Sequence, residues 1–386
     1  ETAAILDLAR FGPVLWAATS GGLRVVNGVE LDVGDPPSSQ FFDLALGADG
    51  RVWVASVPND RVGLPQGLFE LDGTRWRVHD RQTGLESNTV VAAAADPVTG
   101  LTWAGTWGSG LAVLDNEGRW HSFDESNSAL RGILKPAAPS FVVVPDIVPD
   151  AQGHVWATNL QRGVVVFRGF PSPQSLLLDA EHFGLGSTPG FGPLAIEPER
   201  GLKWIGSDQG VAVLDDGGTP FQPADDRVHL IRGLEEPRLT SDAITALAVS
   251  QDILWIGTAG GLHRVTYRYD VAIGLQLRNW RSYRLEHGLE SASITAIALD
   301  DLGNAWVGTE EGITQISFTG AVVHTFMTGN SGLVDDRVTS VRYDAATGGL
   351  WIGTFGGLSR LQITTRQDAE SGTVALVFPN PFDPVG

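Results

Sequence analysis

The fold is decided by the stretch Leu350-Trp351-Ile352-Gly353-Thr354-Phe355-Gly356-Gly357-Leu358. Leu-Trp-Ile reads as the buried part of a short strand. Gly353-Thr354 ends it, Gly356-Gly357 turns the chain, and Leu358 opens the next strand. Nearly the same phrase stands at Leu254-Trp255-Ile256-Gly257-Thr258 through Gly261-Leu262. It returns at Ala305-Trp306-Val307-Gly308-Thr309 through Gly312-Ile313, and at Lys203-Trp204-Ile205-Gly206-Ser207 through Gly210-Val211. Looser copies surround Trp16, Trp53, Trp103 and Trp156, so eight Trp residues follow one another at spacings of 37, 50, 53, 48, 51, 51 and 45 residues. Self-similarity at such a period marks a repeat architecture, in which no unit buries its apolar face alone.

Outward from the Trp, each unit repeats one grammar. In the clearest unit, Ile294-Thr295-Ala296-Ile297-Ala298-Leu299 is a first strand and Asp300-Asp301-Leu302-Gly303-Asn304 a turn. The Trp strand follows, then a third strand over 313–318 and a more polar fourth over 322–326. Short strands divided by Asp/Gly turns argue an all-β chain. First strands are expected near 4–8, 41–46, 90–94, 141–144, 193–196, 244–249 and 338–343, and fourth strands near 76–79, 120–123, 176–178, 228–231 and 280–283, with 373–378 closing the last unit. No segment carries a helical period over a dozen residues. Tandem four-stranded units with one large aromatic each predict a single β-propeller over residues 1–378. Eight four-stranded blades are expected. Seven is the alternative, if a degenerate unit, the first above all, packs elsewhere. Residues 379–386, with Pro379, Pro381 and Pro384, read as a Pro-rich linker.

The repeating Trp is read as packing between blades. Each such side chain buries about 150–250 Å², which at ~25 cal/mol per Å² is roughly 4–6 kcal/mol of gross burial per blade. The glycines after each Trp strand are read as backbone geometry, either a positive φ or a close approach.

Composition narrows the function. A net charge of −19, from 45 acidic and 26 basic side chains, excludes a nucleic-acid backbone as partner and argues against anionic membranes. The chain has no Cys, so thiolate catalysis and Cys-ligated zinc are excluded. No apolar run reaches the length of a membrane-spanning helix. Gly-x-Ser-x-Gly, P-loop and His-Glu-x-x-His motifs are missing, and neither a cofactor nor a metal is expected. The Asp/Gly turns at Asp49-Gly50 and Asp301-Leu302-Gly303, and the pairs Asp300-Asp301 and Asp335-Asp336, are explained by turn formation. His79 and His121 read as polar residues of outer strands; His154 lies in a turn and His263 in a third strand.

The phrase Trp-Ile-Gly-Thr-x-Gly-Gly-Leu, preceded by an Asp/Gly turn and an Ile-Thr-Ala-Ile type strand, resembles the two-component regulator propeller repeat. The resemblance covers nearly the whole chain. It implies a propeller of the kind found in periplasmic sensing domains, often recognising carbohydrates, and in secreted proteins. This chain departs from the sensor pattern in lacking a kinase, a regulator domain or a membrane span. The end of the sequence, Val377-Phe378-Pro379-Asn380-Pro381-Phe382-Asp383-Pro384, looks like the opening of the C-terminal sorting domain of type IX secretion in Bacteroidetes-like bacteria. That resemblance implies export, with release or attachment at the cell surface; a periplasmic location is the alternative.

Comparing the copies, the Trp strand and the closing Gly hold while the residues between them vary. In a propeller these loops share one face with the loops entering each first strand. Rigid strands presenting variable loops are how scaffolds carry binding sites. Trp107 and Phe355 are candidates to stack on a sugar or another planar ligand. Asn159, Arg162, Asp208, Glu310 and Glu311 are candidates for hydrogen bonding, and Asn59 and Arg61 for a rim. The expected function is an exported, non-catalytic binding or interaction module facing a glycan or a surface partner. Two rivals stay open. One is a polysaccharide lyase or glycoside hydrolase, for which Glu310-Glu311 with Arg162 or Arg61 would supply acid and base. The other is a structural surface or appendage protein.

Overall fold

The computed structural model describes residues 5–11, 14–19, 22–25, 40–56, 66–73, 75–133, 141–233, 239–362 and 375–377, and side chains within 40–361. Asn59, Arg61, the 379–386 linker and most of the sorting-domain phrase lie outside the described residues. Among the described residues the regular elements are all strands, apart from one 3-10 turn at Leu285–His287.

Seven antiparallel sheets of four consecutive strands make the blades, over 41–79, 90–123, 147–179, 194–231, 244–283, 294–326 and 338–377, numbered blades 1 to 7. Blade 6 shows the pattern: Ile294–Leu299, Ala305–Thr309, Gly312–Ile316 and Val322–Phe326, each paired with the next. Seven apolar cores lie between neighbouring blades. One joins Trp53 and Leu68 of blade 1 to Val90 and Ala104 of blade 2. The series continues round to blade 7, whose Leu358 and Trp351 pack on Phe41, Leu44 and Phe69 of blade 1. Trp103, Trp156, Trp204, Trp255 and Trp306 each sit in the core shared with the following blade. The ring therefore closes between blades 7 and 1. Thr339 Oγ1 donates to the Phe41 carbonyl, and Arg342 Nη2 to Asp43 Oδ1 at 2.8 Å.

The propeller holds, and the number of blades in the ring is seven rather than eight. The phrase around Trp16 folds into a separate three-stranded sheet, Ile5–Phe11, Val14–Thr19 and Gly22–Val25, whose strands, among the described residues, pair with no strand of the blades. Among the described residues it has three strands, and blade 1 already meets blade 7 without it. Sequence repetition shows that a unit forms a small sheet; only closure shows which units share the ring.

The inner strand of blade 3 also differs from expectation. Residues 141–144 were the more β-prone run, yet blade 3 is completed by Ile147–Pro149. Val142–Val143 instead pairs back with Gly108 and Trp107 of blade 2. Register explains this. Val148 lies opposite Trp156, as Ala298 lies opposite Trp306.

The two conserved-looking glycines of the phrase answer to two causes. A Cβ on Gly257 would lie 2.6 Å from Ile294 Cγ2, at the start of the next blade's inner strand. Gly312 has φ +112°, and a Cβ there would lie 2.5 Å from the Phe326 carbonyl oxygen. The first is close packing between blades; the second is a left-handed turn beside the outer strand.

Candidate functional site on the loop face and channel

The turn between second and third strands is built the same way in most blades. In blade 6 Thr309 Oγ1 donates to the Gly312 carbonyl at 3.0 Å and accepts the Glu311 N–H at 3.0 Å. Thr106, Ser207, Thr258 and Thr354 do the same in their blades. The turns then tie to loops entering inner strands: Gly210 N–H donates to Asp242 O, and Gly312 N–H to Asp336 O. Strand antiparallelism and these bonds put the turns and the entry loops on one face, as the sequence led us to expect.

On that face the candidate residues take different parts. Trp107 is 49% exposed, in contrast to the blade-core indoles of Trp156 and Trp204, which are fully buried. It stands on the extended second strand of blade 2, Thr102–Gly108, held from one side by Val143 and by the Thr89 carbonyl. Phe355 is half-buried. Its ring meets the Phe42 ring edge-on at 5.8 Å and carries the Arg337 guanidinium at 4.8 Å. Asp208 is exposed and accepts the Gly190 N–H at 2.9 Å. Glu310 and Glu311 are exposed side by side in blade 6. Arg162, in blade 3, donates to the Gly132 carbonyl. Asn159 is fully buried in the position of the turn Thr. Its Oδ1 accepts the Arg131 N–H at 2.8 Å, and its Nδ2 donates to the carbonyls of Arg131 and Val143. Its amide is thus committed to holding the loop after blade 2. Blades 3 and 6 lie across the ring from one another, so Arg162 stands apart from the Glu310-Glu311 pair.

The sequence reading missed the centre of this face. A channel of about 650 Å³ runs inside the ring, lined by the inner strands of all seven blades. Register defines one of its layers. Opposite the second residue after each Trp stand Asp43, Ala92, Asp146, Pro193, Ala246, Ala296 and Ser340. The two carboxylates are built alike. Asp43 accepts the N–H of Leu44 and, across the blade boundary, of Ala93 at 3.0 Å. Asp146 accepts the N–H of Ile147 at 2.8 Å and, in the next blade, of Leu194 at 2.7 Å. They differ in charge compensation. Asp43 has Arg342; among the described residues Asp146 has no basic partner. Burial, with repulsion from Asp43, pushes the Asp146 carboxyl up to about 7, against the opposing pull of its two N–H donors and of Arg342. The signal in the sequence was an Asp where the repeat phrase Ile-Thr-Ala-Ile has Ala.

His79 and His121 are outer-strand residues as read, bonded to Glu70 at 3.0 Å and Asp115 at 2.8 Å; His154 bonds to Asp150 of its own turn. Desolvation holds His263, fully buried among Ser282 and Thr240, down at about 4. Asp335 pairs with Arg337, and Asp336 accepts from Thr328. Among the described residues no group of three or more His, Asp or Glu is placed to hold a metal ion, and no helix is long and apolar enough to cross a membrane.

No family model and no curated protein matches the chain. Solved structures match it in fold. PorZ, described as an essential surface component of the type IX secretion system of Porphyromonas gingivalis, is 20% identical with a TM-score of 0.65, covering 92% of this chain and 52% of PorZ. The extracellular domain of the hybrid two-component system BT3049 from B. thetaiotaomicron is 17% identical with a TM-score of 0.66, covering 93% of this chain and 45% of the other. U3-55K, 14% identical, gives 0.54 over 76% of this chain and 82% of the other. The chain thus spans about half the length of the first two. All three likenesses agree on one architecture, the β-propeller.

Proposed function

We propose that this propeller is an extracellular, non-catalytic recognition module that takes a glycan on its loop face, with the Trp107 indole as the stacking platform. The observation that carries the reading is the contrast between Trp107, half exposed at the end of a braced strand, and the buried indoles of the blade cores. A rigid aromatic with an exposed apolar face and little conformational entropy to lose suits sugar rings. Neighbours that are extracellular or surface domains of sensing and secretion systems support the location. The tail phrase starting at Val377 supports export by the type IX route. The separation of Arg162 from Glu310-Glu311 speaks against that one pairing as a catalytic pair, since acid–base catalysis needs both groups at one bond; the pairing with Arg61 lies outside the described residues.

A glycan array run with wild type and Trp107→Ala, alongside a reducing-end assay, tests the reading. Saturable binding that is lost in Trp107→Ala, without release of reducing ends, supports it. Sugar release points to the hydrolase or lyase alternative. Binding to no glycan transfers the face to a protein partner or a structural role.

A further inference from the structure

The third and fourth strands of blade 5, Gly261–Asp270 and Gly274–Tyr283, run ten residues each. Their counterparts in blade 6, Gly312–Ile316 and Val322–Phe326, run five. Both third strands start at the Gly that closes the preceding turn, so about five residues of blade 5, or roughly 16 Å of strand, overhang the neighbouring blade. The overhanging hairpin has two unlike faces. Val265, Tyr267, Leu275 and Leu277 pack into the core around Trp204 of blade 4. The two-residue period turns the alternate positions the other way. Register sets them side by side: Arg264 opposite Arg281, Thr266 opposite Arg278, and Arg268 opposite Gln276. Four arginines thus share one face in a chain of net charge −19. Arg264 donates to the Phe318 carbonyl at 2.8 Å, Arg281 to the Gly320 carbonyl at 2.9 Å, and Arg278 to the Gln276 side-chain oxygen at 2.8 Å. Among the described residues none of the four guanidinium groups meets a carboxylate. Like charges directly opposite one another cost stability in a sheet, and the buried Nε of Arg264 has no acceptor. A second observation lies at the foot of the overhang. The turn of blade 6 that receives Arg264 and Arg281 presents Phe318, 55% exposed. The turn bonded to it through Asn304 presents Leu302, 43% exposed. A cationic wall and exposed apolar side chains therefore meet at a step between blades 5 and 6.

We propose that this step docks an acidic polypeptide segment of a partner protein, its carboxylates on Arg268, Arg278 and Arg281 and an apolar side chain on Phe318 and Leu302. A planar guanidinium takes a carboxylate in two parallel hydrogen bonds. An extended peptide presents alternate side chains about 7 Å apart, which is the repeat of the strand that would face it. The exposed apolar side chains supply a desolvated anchor beside the charges. The charge of the whole chain decides against other polyanions. The negative charge lies outside this hairpin face, so a long anionic polymer, an anionic membrane or a second copy of the chain meets repulsion beyond the step. A short acidic segment engages the arginines alone, within the screening length of about 8–10 Å. Turns joining third to fourth strands leave the blades at the opposite end from turns joining second to third, so the step and Trp107 lie on opposite faces. The step is therefore a surface separate from the glycan platform.

A peptide array read with the whole chain tests it. The array holds short peptides that combine Asp and Glu with one Phe, Leu or Ile, beside the same peptides with Asn and Gln in place of the acids. The best acidic peptides are expected to bind saturably by fluorescence anisotropy, about tenfold or more tighter than their amide versions, and to weaken as salt is raised. Arg268→Ala combined with Arg278→Ala should lose about tenfold or more, and Phe318→Ser about threefold with no change in charge. Replacing the same two arginines by Lys keeps the charge, loses the fork and should cost about threefold. Arg75→Ala, which removes an exposed arginine from blade 1, should change nothing. The substituted side chains are exposed. Should the arginine variants fail to fold, the salt series and Phe318→Ser decide. Binding to no acidic peptide, or affinity indifferent to the arginine variants, overturns the proposal. So does tighter binding of heparin or of phosphatidylglycerol vesicles than of any peptide, or sedimentation that shows the chain self-associating through these arginines. Each outcome reads independently of the glycan array.

Discussion

The carboxylate of Asp300 accepts four hydrogen bonds: from the N–H groups of Leu302 and Asn304, the Asn304 amide and the Trp306 indole. Asp150 does the same work for its turn and for Trp156. Asp301, beside Asp300, is exposed and, among the described residues, accepts from the Tyr343 hydroxyl alone. Removing a buried acceptor strands several donors at once, so Asp300→Ala is expected to lose about 2–4 kcal/mol in denaturant unfolding, against under about 1 kcal/mol for Asp301→Ala. Two titrating groups pull stability in opposite directions. His263 is held near 4 in the fold. An unfolded His protonates at about 6.5, so between those values the unfolded chain binds the extra proton and stability rises with pH. Asp146 sits near 7 in the fold. Unfolded Asp ionises at about 3.9, so over that window the native state holds the proton and stability falls as pH rises. Each contribution is on the order of 3 kcal/mol. His263→Gln is therefore expected to make stability fall from pH 4 to 7, and Asp146→Asn to make it rise, relative to a flatter wild type, as read from urea midpoints across that range.

At the scale of the strand and turn, the repeated phrase specifies nearly everything about a blade. The Trp fixes what the second strand buries, the Thr closes the turn, and each Gly answers to a contact. Gly257→Ala should destabilise by about 1–3 kcal/mol, since Ile294 stands within contact of the added methyl and both lie in a packed core. Trp204→Ala should lose about 3–5 kcal/mol or more, while Trp107→Ala, half in water, should stay within about 1 kcal/mol. Elements that follow the phrase were legible before any coordinates, as with Ile294–Leu299 and Trp120–Phe123. Elements that break it were not. Val142–Val143 outscores Ile147–Pro149 as a strand by local preference, and register against Trp156 overrides that preference. Asn159 looked like a ligand-binding variation because it differs from Thr. Its buried amide shows a substitution that keeps the turn by other bonds. Asp43 and Asp146 stayed hidden because a channel layer exists only once seven inner strands face one another.

For the molecule as a whole, closure is the step that the other contacts presuppose. The last blade meets the first through the Arg342–Asp43 pair, the Phe42–Phe355 rings and the Leu358 core. Deleting residues 1–39 is expected to leave one cooperative unfolding transition, because the contacts of that join, among the described residues, all come from blades 7 and 1; two transitions or a loss of folding would show otherwise. A ring closed in this way is a stiff frame, and its blades differ in their turns, in the lining of the channel and in their outer strands, which reach ten residues each in blade 5. The most direct measurement is fluorine NMR of the chain with all 12 tryptophans replaced by 5-fluorotryptophan, titrated with a panel of oligosaccharides. The account predicts that the Trp107 resonance moves while those of the blade-core indoles hold still. A Trp107 resonance indifferent to every sugar, or movement led by a buried blade indole, would contradict it.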